Sequence, residues 1–136
     1  MTYQRLIQIE FNHCDPAGIV FYPRYFEMVN SVVENFFADV VGRSFAQMHL
    51  GQGNGVPTVR IEADFVAPSR LGEKVLFSLE IVKLGGASAE LAIRAALGAE
   101  ERLRLRLTLV WIAAMRAAPW PDEMRARMVK FMEEAA

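Results

Sequence analysis

Apolar and polar residues alternate in some stretches of the chain and recur at helical spacing in others, so the pattern alone divides the chain into elements. Residues 4 to 11 alternate, which predicts a short strand. From Pro23 to Val40 the apolar residues recur every three or four positions, which predicts a largely enclosed helix of about five turns. Pro23 suits the first helical position, and Gly42 suits the end of the helix.

Four alternating segments follow the helix and predict strands. They are 59–65, 75–81, 88–97 and 102–114, and short turns join the last three into antiparallel hairpins. We expect the first two to be half-buried. The connection 43–55, RSFAQMHLGQGNG, has room for one short turn of helix and has three glycines within its last five residues, so we expect it to be mobile.

A last amphipathic helix is predicted after Pro119 and Pro121, with an apolar stripe of Met124, Met128, Phe131 and Met132. The order of elements predicts an α+β fold. One face of a five-stranded antiparallel sheet wraps around the single long helix, and a short helix ends the chain.

The other face of the predicted sheet also carries apolar side chains. They are Val66, Leu76, Val82, Leu84 and Val110. A second subunit that covers them would explain this pattern, so we expect a symmetric oligomer.

Composition and charge narrow the class of protein. A chain of 136 residues predicts one domain, residues 1–136. Fifteen basic and sixteen acidic residues leave a formal charge of -1, which argues against a nucleic acid or an anionic membrane as partner. One cysteine and a start, MTYQRLIQIEF, without a secretory signal predict a cytoplasmic protein. No apolar run reaches the roughly 18 residues of a membrane span.

The stretch 13–23, HCDPAGIVFYP, interrupts the alternating pattern and carries the candidate chemistry. Asp-Pro and Gly18 are turn-forming residues, so a turn alone would explain why Asp15 is present, and no catalytic role is required. However, Ala17 to Tyr22 is almost wholly apolar, so the carboxylate is expected to lie against apolar side chains that exclude water. The helix that follows begins with unpaired backbone N–H groups at its positive dipole end.

A carboxylate and a helix N-terminus that face one space are two parts of an acyl-transfer site. The N–H groups polarise a carbonyl and hold the oxyanion. Asp15 then attacks the carbonyl carbon or deprotonates a water that does so. Because a carboxylate is a modest base, an activated ester such as a thioester is the best substrate.

The run FNHCDPAGIVFYPRYFEMV, residues 11–29, resembles the signature of the 4-hydroxybenzoyl-CoA thioesterase family of hotdog-fold proteins. Residues 54–66, NGVPTVRIEADFV, resemble the second strand of that family, and the similarity covers nearly the whole chain. The resemblance implies a hotdog fold and hydrolysis of the thioester of an aromatic or short-to-medium acyl-CoA. Coenzyme A is then part of the substrate, and no separate cofactor is implied.

The resemblance also implies roles for individual residues. Asp15 matches the catalytic carboxylate, and Tyr22 matches the residue whose backbone N–H binds the thioester carbonyl. The positions expected to bind substrate are His13, Gly18, Phe26, Asn30, Phe45, Val56 and Pro57. By spacing alone, Phe26 and Phe45 are core residues.

Three of these positions differ from members specialised for hydroxybenzoyl groups. Those members have acidic residues where this chain has His13 and Asn30, and a threonine where it has Val56. Basic residues in the turn between the third and fourth strands are absent here, where the chain reads LGGAS. The family also implies subunits whose sheets join edge to edge, commonly as dimers of dimers, with active sites between subunits.

Other interpretations of these residues are weaker. His13 and Cys14 are adjacent in an extended chain and point apart, which argues against a cysteine nucleophile with its base. Two histidines and one cysteine without paired spacing predict no metal site. The segment GQGNG is interpreted as a flexible loop, because no strand and helix flank it as in a dinucleotide fingerprint. The arginines of RLRLRL are interpreted as the polar face of a strand, paired with carboxylates.

Two functional alternatives stay open. One is a non-catalytic protein that binds acyl-CoA or an acyl carrier in the same groove. The other is a hotdog-fold hydratase that acts on an enoyl thioester, because that fold hosts both reactions. The carboxylate precedes the helix in this chain, which favours hydrolysis.

Overall fold

The computed structural model describes residues 2–49 and 53–135, and its elements follow the predicted order. The strands are β1 (Tyr3–Gln8), β2 (Thr58–Phe65), β3 (Lys74–Leu84), β4 (Ser88–Leu97), β5 (Glu100–Val110), β6 (Ile112–Ala113) and β7 (Arg116–Ala117). The helices are α1 (Pro23–Phe36), α2 (Phe45–His49) and α3 (Asp122–Ala135).

Five of the strands form one antiparallel sheet in the order β1-β3-β4-β5-β2. One face of the sheet packs on α1, and the core between them holds fully buried side chains from both layers, among them Val32, Phe36, Phe77, Ile93 and Leu103. Met124, Met128 and Phe131 of α3 are buried as predicted. The expected α+β architecture is confirmed.

Helix α1 ends differently from a regular α-helix. After Phe36 the backbone widens into one π-helical turn, Phe37–Val41, and stops at Gly42. Gly42 has a φ of 86°, a left-handed conformation that glycine adopts at little cost. The predicted helix and its terminator are therefore confirmed, and the widened turn is an addition that spacing did not indicate.

The first strand is shorter than predicted. It ends at Gln8, and Phe11–His13 form a turn of 3-10 helix. The prediction that the strand reaches residue 11 is wrong, because the side chain of His13 accepts the N–H of Glu10 and closes a local turn. Phe11 consequently projects into solvent with 84% of its surface exposed.

The predicted strand 102–114 is interrupted. Strand β5 ends at Val110, and β6 and β7 form a small hairpin around Ala114 and Met115, which both have positive φ. Alanine and methionine are not typical of such turns, so no residue type signals this hairpin. The hairpin also pairs with Gly55, whose N–H and C=O both bond to Ile112.

Strand β2 lies at the open edge of the sheet, and the prediction that it is half-buried is wrong for the described chain. Val59, Ile61 and Phe65 are 61%, 41% and 46% exposed. Val59 lies at a register shift in the pairing with β5, whereas Ile61 lines a cavity beside α1 and Phe65 packs on the ring of Phe26, and both stay partly exposed at this edge strand.

On the other face of the sheet, Val66, Leu76 and Val82 are exposed as predicted, and Val110 is half-buried. The prediction that Leu84 lies on this face is wrong, because a register shift between Ile81 and Lys83 pairs it with the buried Ala89 and packs it against the core.

Within the described ranges no helix is long and apolar enough to cross a membrane. The loop 43–55 was expected to be mobile, and its residues 50–52 lie outside the described ranges. Its first part forms α2, and its last part is held by the pairing of Gly55.

Candidate active site

Asp15 lies at the tip of a short hairpin between β1 and α1. Cys14 and Val20 pair across this hairpin, and Asp15 N–H donates to the carbonyl of Ile19 at 3.0 Å. At the tip, Gly18 N–H donates to the carbonyl of Asp15 at 2.9 Å, which closes a four-residue turn. Asp at the first position, Pro at the second and Gly at the fourth are the preferred residues of such a turn.

The carboxylate of Asp15 helps to form this turn. Its Oδ1 accepts the N–H of Ala17 at 2.9 Å. Its Oδ2 accepts from none of the residues that the structure describes, and the side chain is half-buried. One oxygen therefore holds the turn, and the other is available to a substrate or a water.

Helix α1 begins beside this hairpin with one unused donor. The N–H groups of Phe21, Arg24 and Tyr25 donate to carbonyls at 2.9, 2.8 and 3.1 Å. Pro23 has no N–H. The N–H of Tyr22 donates to no acceptor within residues 2–49 and 53–135, and no side chain caps the helix. A free donor at a positive dipole end is suited to an oxyanion.

An apolar cavity of about 240 Å³ lies between α1, α2, the loop before β2, and strands β2 and β5. It includes four of the predicted substrate positions: Phe26, Asn30, Phe45 and Val56. Its remaining walls are Val29, Val33, Thr58, Ile61, Leu107 and Leu109. Asn30 donates no hydrogen bond to the described part of the chain, so its amide is free to contact a ligand.

The other predicted positions lie elsewhere. Gly18 occupies the turn with a φ of 78°, and its carbonyl accepts the N–H of Leu71. His13 lines a more polar groove on the opposite side of α1, with Glu10 and Glu27. Pro57 is exposed next to Val56, and its carbonyl accepts the N–H of Val110. The described chain thus brings four positions together in the cavity and places these three outside it.

A buried polar cluster connects strand β5 to the start of α1, and sequence reasoning did not predict it. Arg102 is 6% exposed and Ser69 is fully buried. Arg102 Nη1 donates to Glu73 Oε1 at 2.7 Å and to Ser69 Oγ at 3.3 Å. Tyr25 Oη donates to the same Ser69 Oγ at 2.9 Å. We call Tyr25, Ser69, Glu73 and Arg102 the buried polar cluster.

Arg102 departs from the strand pattern because of a β-bulge. Ala95 of β4 pairs with Leu103, and the next residue, Ala96, pairs with Glu101, so Arg102 is left without a partner between them. A bulge redirects a side chain. The other two arginines of RLRLRL follow the prediction. Arg104 and Arg106 form ion pairs with carboxylates on the exposed face of the sheet.

The electrostatics of the cluster favour its charged form. The guanidinium of Arg102, followed by the N–H of Arg70, lowers the pKa of Glu73 below the ordinary 4.5. The bond to Glu73 raises the pKa of Arg102, against the opposing effect of burial. Glu100 Oε1 lies 2.6 Å from Arg102 Nε and adds a second carboxylate.

Metal-ligating residues do not gather in the part of the chain that the structure describes. No three His, Cys, Asp or Glu side chains there are placed to hold a metal ion. The described residues offer a carboxylate at the hairpin, a backbone donor at the start of α1 and an apolar cavity, and the lining of the cavity includes neither Asp15 nor Tyr22.

Comparisons with known proteins match the chain to a family model and to solved structures. A family model described as the thioesterase superfamily matches residues 17–99, more than half of the chain. The match starts two residues after Asp15. A 4-hydroxybenzoyl-CoA thioesterase from Pseudomonas sp. (strain CBS-3) is 37% identical over 60 residues, which is 43% of this chain and 43% of that protein.

Solved structures share the fold over almost the full length. A 1,4-dihydroxy-2-naphthoyl-CoA thioesterase from Synechocystis superposes with a TM-score of 0.85 at 21% identity, covering 95% of this chain and 96% of its own. A thioesterase from Thermus thermophilus, complexed with coenzyme A and Zn, has a TM-score of 0.82 at 22% identity, covering 96% and 93%. These likenesses extend the resemblance drawn from residues 11–29 and 54–66 to the backbone of the whole sheet.

Proposed function

Since the chain belongs to the thioesterase superfamily, we propose that it hydrolyses an acyl-CoA thioester to a free acid and coenzyme A. The observation that carries this proposal is the unused N–H of Tyr22 at the start of α1, which follows the hairpin of Asp15 directly in the chain. A donor of this kind contributes about 10²-fold to 10³-fold to kcat in hydrolases. Asp15 and Tyr22 are the proposed catalytic residues.

The proposed reaction begins with the thioester carbonyl hydrogen-bonded to the N–H of Tyr22. In the general-base route, Asp15 takes a proton from water, and the oxygen of the water bonds to the carbonyl carbon. The oxyanion forms at the Tyr22 N–H. Its collapse breaks the C–S bond and expels the coenzyme A thiolate, which takes up the proton that Asp15 removed from water and so restores the carboxylate.

Asp15 has an alternative role as nucleophile. Its Oδ2 attacks the carbonyl carbon, the thiolate leaves, and a mixed anhydride is hydrolysed by water. The two routes differ in where solvent oxygen is incorporated. Single turnover in ¹⁸O-labelled water places label in the side chain of Asp15 only if the anhydride forms and water attacks its Asp15 carbonyl.

The cavity beside α1 supports a small acyl group. At about 240 Å³ it is below the common range for ligand pockets, roughly 300–1,000 Å³. Its walls are apolar, with Asn30 and Thr58 as the polar exceptions. An aromatic or short-to-medium acyl chain fits this description. Phe26, Phe45 and Val56 are proposed to pack against it.

The direct test is release of free thiol from a panel of acyl-CoA esters, followed with a thiol reagent. Asp15→Asn should lower kcat by about 10²-fold or more, because the amide is neither base nor nucleophile. Its oxygen still accepts the N–H of Ala17, so the turn is retained. Glu34→Gln, a change of an exposed carboxylate on α1, is the matched control and should leave kcat unchanged. Equal rates for wild type and Asp15→Asn would remove Asp15 from the reaction.

A second candidate function is supported by the bond between Asp15 Oδ1 and Ala17 N–H, because a carboxylate that only forms the turn leaves a binding protein. Such a protein binds acyl-CoA without releasing thiol. Saturable binding across the panel with no thiol release would favour it. Parallel measurement of enoyl-CoA absorbance tests the hydratase alternative.

We further propose that two copies join through β2. The strand is an open edge with exposed Val59 and Ile61, and such edges pair readily. A two-fold pairing centred on Ile61 would place Arg60 opposite the partner's Glu62. The exposed residues of the outer sheet face then suit a second contact, which would give a dimer of dimers with active sites between subunits.

Coenzyme A enters this proposal as part of the substrate, and the proposed steps use only side chains and a backbone N–H of the chain. The cytoplasmic location inferred from the single cysteine is likewise a proposal. Cell fractionation with an antibody against the protein would check it.

A further inference from the structure

The buried polar cluster connects the sheet to the start of α1 through one hydrogen-bonded chain. Within residues 2–49 and 53–135, Ser69 and Arg102 are the only buried polar or charged residues, and both belong to it. Burial of a guanidinium is costly even when it is paired, and apolar replacements of such pairs are often neutral or stabilising. A gain in stability alone does not explain why the cluster is there.

The two ends of the cluster meet the two halves of the proposed site. On the hairpin side, the carbonyl of Ser69 accepts the N–H of Val20 at 2.9 Å, and Leu71 N–H donates to Gly18 at 3.1 Å. On the helix side, Tyr25 N–H donates to the carbonyl of Tyr22 at 3.1 Å. The loop that carries Ser69 therefore holds the Asp15 turn by its backbone and the first turn of α1 by its side chain.

We propose that Ser69 and Tyr25, held by the Arg102–Glu73 ion pair, are positioning residues that fix the Tyr22 N–H relative to the Asp15 carboxylate. This inference rests on the proposed function. The Asp15 carboxylate and the Tyr22 N–H otherwise lie on separate elements, a hairpin and the start of a helix. A displacement of about 1 Å between reacting groups can cost on the order of 10²-fold in rate.

Conservative variants test the helix side of the cluster. Tyr25→Phe and Ser69→Ala each remove the 2.9 Å bond and retain most of the packing. Each should lower kcat about tenfold and leave KM within about twofold, because the walls of the acyl cavity are unchanged and the Tyr22 N–H bonds more strongly to the oxyanion than to the bound carbonyl. The double variant should be no slower than Ser69→Ala, because Ser69→Ala removes the bond from Tyr25 and also the bond from Arg102, so Tyr25→Phe then removes no further bond. Asn35→Ala, which removes a side-chain bond to Ser31 further along α1, is the control and should keep kcat.

The ion pair is tested by separating stability from rate. Arg102→Met together with Glu73→Gln removes both charges and leaves neither buried alone. A structural role predicts that kcat follows the melting temperature. A positioning role predicts that this double variant melts at or above the wild-type temperature and still loses about tenfold in kcat. Wild-type kcat in the folded double variant and in Tyr25→Phe would overturn the proposal.

A measurement without substrate separates this inference from the proposed function. In amide hydrogen exchange, Tyr25→Phe should speed exchange of the Val20 and Leu71 amides, although neither touches Tyr25 directly through a backbone bond. Unchanged exchange at both amides would overturn the coupling even if the wild type hydrolyses acyl-CoA. Faster exchange would support the coupling even if no acyl-CoA is hydrolysed.

Discussion

At the scale of single residues, the turn at Asp15 depends on one backbone conformation. Gly18 has a φ of 78°, and a Cβ at this position would meet no atom within 4 Å. Steric contact with other residues therefore does not limit which side chain fits at position 18. An L-residue in this region costs about 1–2 kcal/mol because its Cβ approaches its own backbone.

We predict that Gly18→Ala lowers the free energy of unfolding by about 1 kcal/mol, measured by urea titration. Gly86→Ala is the matched control, because Gly86 has equally open surroundings and no positive φ. The control should be neutral or slightly stabilising. Equal effects of the two substitutions would contradict the strain argument.

Glu73 gives a pH dependence whose sign follows from its lowered pKa. The folded state holds the carboxylate in its charged form more strongly than the unfolded state does. Its contribution to stability is therefore fully present above pH 4.5, the ordinary value, and is lost as the pH falls through the lower folded pKa.

We predict that the loss of stability below pH 4.5 is shallower in Glu73→Gln than in wild type, as measured by thermal melts from about pH 3 to about pH 6. Glu101→Gln changes a carboxylate paired with the exposed Arg94 and serves for comparison. If the stability of Glu73→Gln fell with acid as steeply as that of the wild type, the ion pair would not contribute to this pH dependence.

Sequence reasoning reached the residues of the site unevenly. Asp15 and Gly18 were found because their types and spacing mark a turn before a helix. The cavity positions Phe26 and Asn30 came from the family resemblance, since helical spacing alone assigns the first to the core. Arg102 was missed because its burial depends on a bulge, and no residue type in β4 or β5 signals one.

At the scale of elements, a side-chain hydrogen bond of Tyr3 connects β1 to the widened end of α1, beside the edge-to-face contact of Tyr3 with Phe36. Tyr3 Oη donates to Asp39 Oδ2 at 2.6 Å. Burial, followed by the nearby carboxylate of Asp39, raises the pKa of Tyr3 to about 12. The protonated tyrosine is favoured in the fold, so this stabilisation is complete below pH 10 and is lost as the pH rises to 12.

We predict that Tyr3→Phe lowers the free energy of unfolding near pH 7 by about 1 kcal/mol, the usual contribution of one hydrogen bond. Between pH 10 and 12 the wild type should lose its advantage over the variant. Denaturant titrations of both proteins at several alkaline pH values check this. A constant difference across the range would contradict the assignment.

The order of the elements was predictable because each long element has its own period of apolar residues. The ends of the elements were not. The first strand stopped early because His13 and Glu10 form a local turn. Strand β5 stopped at Val110, and the next residues enter a hairpin whose positive-φ residues, Ala114 and Met115, lack turn character. Neither feature leaves a periodic signal.

At the scale of the whole molecule, the exposed apolar residues of β2 are the main feature that the single chain leaves unexplained. We predict that the wild type sediments as a dimer or a larger even oligomer at micromolar concentration. Val59→Glu should shift it toward monomer, because a charge at a paired edge is unfavourable. Val129→Glu, at an exposed position of α3, should not. A monomeric wild type would contradict the pairing through β2.

The start of α1 carries neither a capping side chain nor an acidic residue in its first turn. In a capping box, a Glu or Gln at the third helical position accepts the N–H of the residue before the helix; that position is Tyr25 here, so the N–H of Tyr22 has no partner among the described residues. Any group that took the vacant donor would strengthen the helix and would also occupy the place of an incoming ligand oxygen. Thermal stability and turnover therefore depend in opposite ways on one peptide N–H. A screen that selects only for thermal stability should recover inactive variants in which this N–H is bonded to a protein group.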